Sequence, residues 1–274
     1  MTDNRIVLER IADALERLAP PAVQPTGWTS ATAFVWDGQS ARAVLKHDCV
    51  EIDRLRGIDK QKTAVCNNLA RLDSGAAAHD MLLWGSRGMG KSALIRAAVA
   101  SAQESHPGAL TLVQIAPNSL DTLPLLIEDL AKQSGAFLLF VDDLGFDADH
   151  AQDNLALRSL LDGGLVSRPP NVRIAVTSNR RAIVARDAVT NDLLHERDER
   201  DNALALADRF GLTLGFHPCD QSTFLEILHA YTDPLGLEVD AEEANAWAIS
   251  RGSRSGRTAY QFAVELAGRA GLPL

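Results

Sequence analysis

From residue 80 onward, short apolar runs alternate with stretches of helical spacing. The runs are MLLW at 81–84, LTLVQI at 110–115, FLLFVD at 137–142, VRIAVTS at 172–178 and LTLGF at 212–216. Four of the five are nearly continuous in apolar residues, as strands covered on both faces are, and they predict a five-stranded parallel sheet between helices. Beyond Pro218 the spacing is helical throughout, with Phe224, Leu225, Ile227 and Leu228, then Trp247, Phe262, Val264 and Leu266, which predicts a small all-helical unit. The expected organisation is an N-terminal helix and linker over 1–50, an αβα core over 51–217 and a helical domain over 218–274.

Ahead of the core, Val7, Ile11, Leu15 and Leu18 recur at helical spacing until Pro20-Pro21 stops them. Such a stripe either packs on its own domain, the commoner use, or docks a partner or neighbouring subunit. Residues 20–32, PPAVQPTGWTSAT, have the composition of a linker. FVW at 34–36 offers aromatics either to the core or to stacked bases, with burial the expected use.

Composition narrows the setting. Hydrophobic residues make up 46% and charged residues 23% of 274, the mix of a folded globular chain. A net charge of −9 argues against a surface that clings everywhere to DNA or anionic lipid, so any nucleic-acid contact is expected to be local. Cys49, Cys66 and Cys219 are scattered and lack metal-ligand spacing, which suits a reducing compartment. The first residues lack the basic-then-apolar layout of a signal peptide, and no apolar run approaches the ~18 residues of a membrane span. The expected location is the cytoplasm.

The chemistry gathers where the first core strand breaks into glycines. GSRGMGKS, Gly85 to Ser92, satisfies GxxxxGK[ST] between a predicted strand and a predicted helix. The loop residues Gly85, Ser86, Arg87, Gly88, Met89 and Gly90 let backbone N–H groups point at phosphates. Lys91, Ser92 and Ala93 open a helix whose N-terminal partial charge adds to the attraction. Lys91 is placed to span the β and γ phosphates of a nucleotide and Ser92 to ligate Mg²⁺.

FLLFVDD at 137–143 delivers two carboxylates at a strand's C-terminal end, the side on which open parallel sheets bind ligands. Alone the pair reads equally as a solvated turn; following a phosphate loop, it reads as Asp142 holding Mg²⁺ and Asp143 polarising the attacking water. Asn179 ends the next strand, either as a turn former or as an amide orienting that water. Arg209, in LADRFG at 206–211, either pairs with an acid or stabilises charge on a transferring phosphoryl group. Arg254 and Arg257 open a helix in the last domain, where the helix dipole disfavours cations and an anion would compensate.

In this order the elements resemble the AAA+ ATPases: GSRGMGKS as Walker A, FLLFVDD as Walker B, TSN as sensor 1, DRFG as the arginine-finger segment and SGRTAYQF as sensor 2 in a helical lid. The similarity covers about residues 50–270 and implies a P-loop NTPase core with a lid, ATP and Mg²⁺ as ligands, and a homo-oligomer, ring or filament, with nucleotide at subunit boundaries. It implies that Asn179 is sensor 1, that Arg209 reaches the neighbouring subunit's ATP, that Arg257 touches phosphate from the lid of its own subunit, and that Leu55 and Ile58 of LRGID lie near adenine. The Asp-Asp pair and LADRFGLTLGF look like the branch containing the replication initiator, helicase loader and transposition helper. The whole line of motifs is most similar to the bacterial AAA+ family called domain of unknown function 815, a name that carries no substrate.

Departures from better-known relatives refine the expectation. Asp143 stands where most AAA+ motors have Glu, one methylene longer, so slow hydrolysis is expected. APNSLDTLPLLIEDL lacks the aromatic-hydrophobic-glycine pore loop of polypeptide-threading motors, and no helix-turn-helix is expected after the lid. A DNA-associated loader or helper, a protein-remodelling chaperone and an ATP-binding switch therefore stay open as roles, each with an unidentified protein or nucleic-acid client and no membrane. HERDERDN at 195–202 reads as a solvated loop or an intersubunit ion-pair strip, and Arg180-Arg181 as local ion pairs or phosphate contacts. His150 and His217 have no metal-ligand partners in the sequence.

Overall fold

Strands β3 (Met81–Gly85), β4 (Leu110–Ile115), β5 (Ala136–Val141) and β6 (Val172–Ser178) are almost wholly buried, and β7 (Leu212–Phe216) is half-buried, as befits an edge strand paired only with β3. They belong to a computed structural model that describes residues 26–45, 49–108, 110–145, 151–163, 168–179 and 204–274. The predicted helix over 4–19, Arg180-Arg181, the 195–202 loop and His150 lie outside these residues.

The sheet has seven strands, in the order β2-β1-β4-β5-β6-β3-β7. The sequence predicts five. The additional two are β1 (Ala33–Trp36), parallel to β4, and β2 (Ala41–Ala43), antiparallel to β1. Four and three residues are too few to show a periodicity, and β1 is fixed by pairing with a distant strand, Ala33 opposite Leu112 and Trp36 opposite Ile115. The 34–36 aromatics are therefore core: Phe34 and Trp36 are buried, and Trp36 Nε1 donates to Thr122 Oγ1 at 2.8 Å. Trp28, in the stretch read as linker, is also buried and donates to Asp129 Oδ2 at 2.8 Å.

Alternate residues of each strand feed the two faces. Met81, Leu83, Leu138 and Phe140 pack against α1 (Asp59–Asp73) and α2 (Lys91–Ser105), through Val65, Leu69, Leu94 and Ile95. Leu82, Val113, Leu139 and Val176 pack against α3 (Leu123–Leu130) and α4 (Ala151–Leu161), through Leu126, Ile127 and Leu157. This is an α/β fold with helices on both sides of a parallel-dominated sheet.

Helices α5 (Gln221–Thr232), α6 (Ala241–Ser250) and α7 (Gly256–Arg269) share a separate core of Phe224, Ile227, Leu228, Ala244, Ala248, Ala259 and Phe262. Each is N-capped by a short polar side chain accepting from the first turn: Asp220 from Thr223, Asp240 from Glu242 and Ser255 from Thr258. Val264, one of the apolar positions of the helical pattern, is 44% exposed.

Candidate functional site

Three neighbouring strands, β5, β6 and β3, end on the same side of the sheet, and parallel pairing in register (Val141 with Val176, Leu83 with Thr177) brings their terminal side chains together. After β3 the chain must turn sharply. Gly85 has φ +122°, and a Cβ there would lie 2.1 Å from the Phe216 carbonyl oxygen, so only glycine fits this close passage beside β7. Helix α2 then starts at Lys91, and the N–H groups of its first turn have no acceptors within the helix.

These N–H groups open into a cavity of about 660 Å³ lined by residues 87–93 of the loop and helix, by Asp142, Asp143, Thr177 and Asn179 from the strand ends, and by Arg257. Leu55 and Ile58 form part of another wall, packed in the same cluster as Met89. The lining also takes in α5 and α7, through Ile227, Tyr231 and Tyr260, the two tyrosine rings 5.2 Å apart in an edge arrangement.

Lys91 is only 5% exposed. Its Nζ donates to the Gly85 carbonyl at 2.9 Å, the Ser86 carbonyl at 2.8 Å and Asn179 Oδ1 at 2.9 Å, using all three ammonium protons. Burial pushes its pKa down to about 8, against the pull of Asp143 and Asp142 and with a further push from Arg87 and Arg257. A buried ammonium at a helix N-terminus concentrates positive potential where an anion can enter. The buried Ser86 Oγ has no hydrogen-bond partner among the described residues.

Ser92 Oγ lies 2.5 Å from Asp142 Oδ1, across the gap between α2 and β5. A hydroxyl and a carboxylate are the hard oxygen donors that Mg²⁺ prefers, and Mg²⁺ is commonly held by one or two such groups together with substrate phosphates. Among the described residues there is no cluster of three His, Cys, Asp or Glu. Arg96 approaches Asp142 Oδ2 at 3.7 Å.

Asp143 has left-handed backbone, φ +59°, which turns its carboxylate out of the strand and into the cavity. Asn179 Nδ2 donates to that carboxylate, so one amide links Lys91 to Asp143. Arg87 stands 3.9 Å away. From the helical group, the Arg257 N–H donates to the Gly88 carbonyl at 3.0 Å and fastens the start of α7 to the glycine loop.

Among the predicted residues, Gly85 and Ser86 lie behind the cavity as acceptors for Lys91, and Arg209 lies away from it. The Arg209 guanidinium donates to Asp162 and to the Ala205 carbonyl of its own chain. Thr177, Arg96, Tyr231 and Tyr260 also line the cavity, and the sequence motifs give none of them a role. Arg96 was legible, because it falls four residues after Ser92 on one helix face. The tyrosines meet only through packing of α5 on α7, which leaves no local signal.

A parallel sheet ending in a glycine-turned loop, a carboxylate pair and an amide, with three helices beyond it, is the fold of the AAA+ ATPases. Orc1 of Aeropyrum pernix, solved in complex with DNA, matches with TM-score 0.56 at 15% identity, over 80% of this chain and 65% of the Orc1 chain. Two point variants of RuvB from Thermotoga maritima match with TM-scores 0.52 and 0.51 at 15% identity, each over 81% of this chain and over 67% and 66% of theirs. The chain thus spans about two thirds of the length of these solved chains. A family model described as protein of unknown function (DUF815) matches residues 29–270, and the chain belongs to that family. No curated protein matches it. Among the described residues no helix is long and apolar enough to cross a membrane.

Proposed function

We propose that the protein binds and hydrolyses Mg²⁺-ATP at the boundary between copies of itself, and uses the cycle to assemble with or remodel a client. The observation that carries this reading is the position of Lys91, buried at the start of α2 and linked through Asn179 to Asp143, beside the Ser92–Asp142 pair. The seven-stranded sheet and its flanking helices, which take in β1 and β2 ahead of residue 51, form the nucleotide-binding core, and 218–274 form a lid that closes on the loop through Arg257 and Gly88.

Each group has a task in this reading. Backbone N–H groups at 87–93 cradle the β and γ phosphates, and Lys91 gives up its carbonyl acceptors for phosphate oxygens. Ser92 and Asp142 hold Mg²⁺, which supplies charge neutralisation on the phosphates. Asp143 accepts a proton from the attacking water, while Asn179 fixes its carboxylate. Leu55 and Ile58 take adenine, and Arg257 touches phosphate from the lid.

Arg209 completes the site of a neighbouring copy in a ring or filament. Its distance from its own chain's cavity supports that assignment, since a group acting only across an interface has no reason to line its own pocket. The likeness to Orc1, a chain solved with DNA, supports a DNA-associated client. Titrating single- and double-stranded DNA into an ATPase assay tests that client, and turnover indifferent to both removes it.

A second reading, an ATP-binding switch with little turnover, is favoured by the pairing of Arg209 with Asp162, which holds the finger on its own chain and away from a neighbour's site. Asp143→Asn separates binding from chemistry. The variant is expected to bind Mg²⁺-ATP like the parent and to lose hydrolysis by about 10²-fold or more. Folded parent protein without affinity for adenine nucleotide in the presence of Mg²⁺ sinks both readings, whereas tight binding with no phosphate release leaves only the switch.

A further inference from the structure

The geometry points to Thr177 as the residue that positions both carboxylates of the site, a single buried hydroxyl setting the metal-facing Asp142 and the water-facing Asp143 relative to each other. The inference rests on the Mg²⁺-ATP reading above and gives a role to the first residue of TSN, a segment in which only Asn179 has one so far.

Thr177 lies one residue before the end of β6, the strand between β5 and β3. Since Val176 is the register partner of Val141, Thr177 stands opposite the first residue after β5, which is Asp142. Its side chain is 1% exposed, so its hydroxyl must find partners within the protein. It finds two. Thr177 Oγ1 lies 2.7 Å from Asp142 Oδ1 and 2.9 Å from the Asp143 backbone nitrogen.

The directions of these bonds are forced. A backbone N–H can only donate, so Oγ1 accepts from Asp143, and its one proton is left for the Asp142 carboxylate. A third bond joins the same two segments, from the Leu144 N–H to the Thr177 carbonyl at 2.8 Å. The turn 142–144 is therefore tied to one residue of the neighbouring strand by side chain and main chain together.

Two consequences follow for the site. Asp142 Oδ1 receives hydrogen bonds from both Ser92 and Thr177, which fixes the carboxylate rotamer that faces the metal position. Outer donors of this kind orient a ligating carboxylate, and their loss commonly costs 10–100-fold in metal affinity or activity. Asp143 adopts left-handed backbone, which a non-glycine residue keeps only where surrounding contacts over-determine it. The bond from its own amide to Thr177 is such a contact. The β-branched threonine adds a restricted χ1, so the hydroxyl is pre-aimed; serine keeps the hydroxyl with more rotamer freedom, and valine keeps the shape without it.

The test compares Thr177→Val, Thr177→Ser and Thr177→Ala in the full chain, each checked by thermal melting. A fluorescent, non-hydrolysable ATP analogue is bound with and without Mg²⁺, and Mg²⁺ is then titrated at fixed analogue. Thr177→Val is expected to leave Mg²⁺-free affinity unchanged, to raise the half-saturating Mg²⁺ concentration by about tenfold or more, and to lower turnover; Thr177→Ser is expected to restore most of both. If Thr177→Val does not fold, the contrast between Thr177→Ala and Thr177→Ser carries the same expectation.

A Thr177→Val titration that matches the parent overturns the proposal. So does a Thr177→Ser variant as defective as its hydroxyl-free counterpart, or an equal loss of affinity with and without Mg²⁺, which marks general loosening of the strand ends around the site. A parent that binds no Mg²⁺-nucleotide removes the functional reading and this inference with it, whereas a parent that binds beside an unaffected Thr177→Val removes the inference alone.

Discussion

Arg209 is paired with Asp162 inside its own chain. Asp162 directly follows α4, and Arg209 sits in the turn leading into β7, so the ion pair ties together two segments 47 residues apart. Their mutual hydrogen bond holds the Asp162 carboxyl below the usual carboxylate range and Arg209 above its ordinary value. Both side chains reach solvent, at 54% and 31% exposure, so water and salt screen the pair and leave it exchangeable.

In the proposed assembly Arg209 exchanges the single charge of Asp162 for the multiply charged γ-phosphate of a neighbour. Arg209→Ala is expected to bind Mg²⁺-ATP normally and to lose turnover by about 10³-fold at concentrations where the parent is assembled. Asp162→Asn weakens the competing partner and is expected to move half-maximal turnover to lower protein concentration. Phosphate release measured against protein concentration checks both. Normal turnover by Arg209→Ala, or an Asp162→Asn curve shifted to higher concentration, defeats the assignment.

Lys91 gives the site a pH signature. Its pKa of about 8 lies below the ordinary 10.5 because burial disfavours the charged form. Below about pH 8 the folded and unfolded chains both carry the proton, and the full desolvation cost is present. Between about 8 and 10.5 only the unfolded chain carries it, so this group's contribution to the stability of the unliganded protein rises with pH across that window. Nucleotide binding has the opposite sign, because bound phosphates favour the ammonium.

Above about pH 8, then, binding takes up a proton and affinity falls as pH rises, by as much as about tenfold per unit. Calorimetry in buffers of different ionisation enthalpy is expected to show uptake approaching one proton near pH 9 and almost none near pH 7. Lys91→Arg, always charged, is expected to abolish the difference. Equal proton exchange by parent and variant near pH 9 removes the link to Lys91.

Legibility in the sequence followed the range of the interactions involved. The glycine loop, the Asp142-Asp143 pair and the four inner strands of the predicted sheet are set by residues close together in the chain, and they could be read from spacing alone. Strands β1 and β2 could not, because Phe34 and Trp36 become core only by pairing with β4 and by hydrogen bonding to Thr122. Thr177 is hidden for a related reason: TSN draws attention to its asparagine, and only the register of β6 against β5 puts the threonine hydroxyl between the Asp142 carboxylate and the Asp143 amide. The two tyrosines of the cavity lining depend on how two helices pack, which no single-segment pattern encodes.

The glycine loop meets the start of α7 at Gly88, whose carbonyl accepts from the Arg257 N–H. Its φ of +75° costs an alanine about 1 kcal/mol or more, and an added Cβ would lie 2.8 Å from Ser255 Oγ and 3.1 Å from Arg257 Cβ, at the very start of α7. Gly88→Ala is therefore expected to lower the melting temperature and also to weaken nucleotide binding, because α7 must retreat from the loop it touches through Arg257. Ser255→Gly removes the nearest obstructing atom and leaves a residue still tolerated as an N-cap. In that background the stability cost of Gly88→Ala should shrink toward the backbone part alone, a coupling that a double-mutant cycle measures. Equal costs in the two backgrounds exclude the Ser255 contact as the source, and a Gly88→Ala protein that melts and binds like the parent rules out a joint held at this glycine.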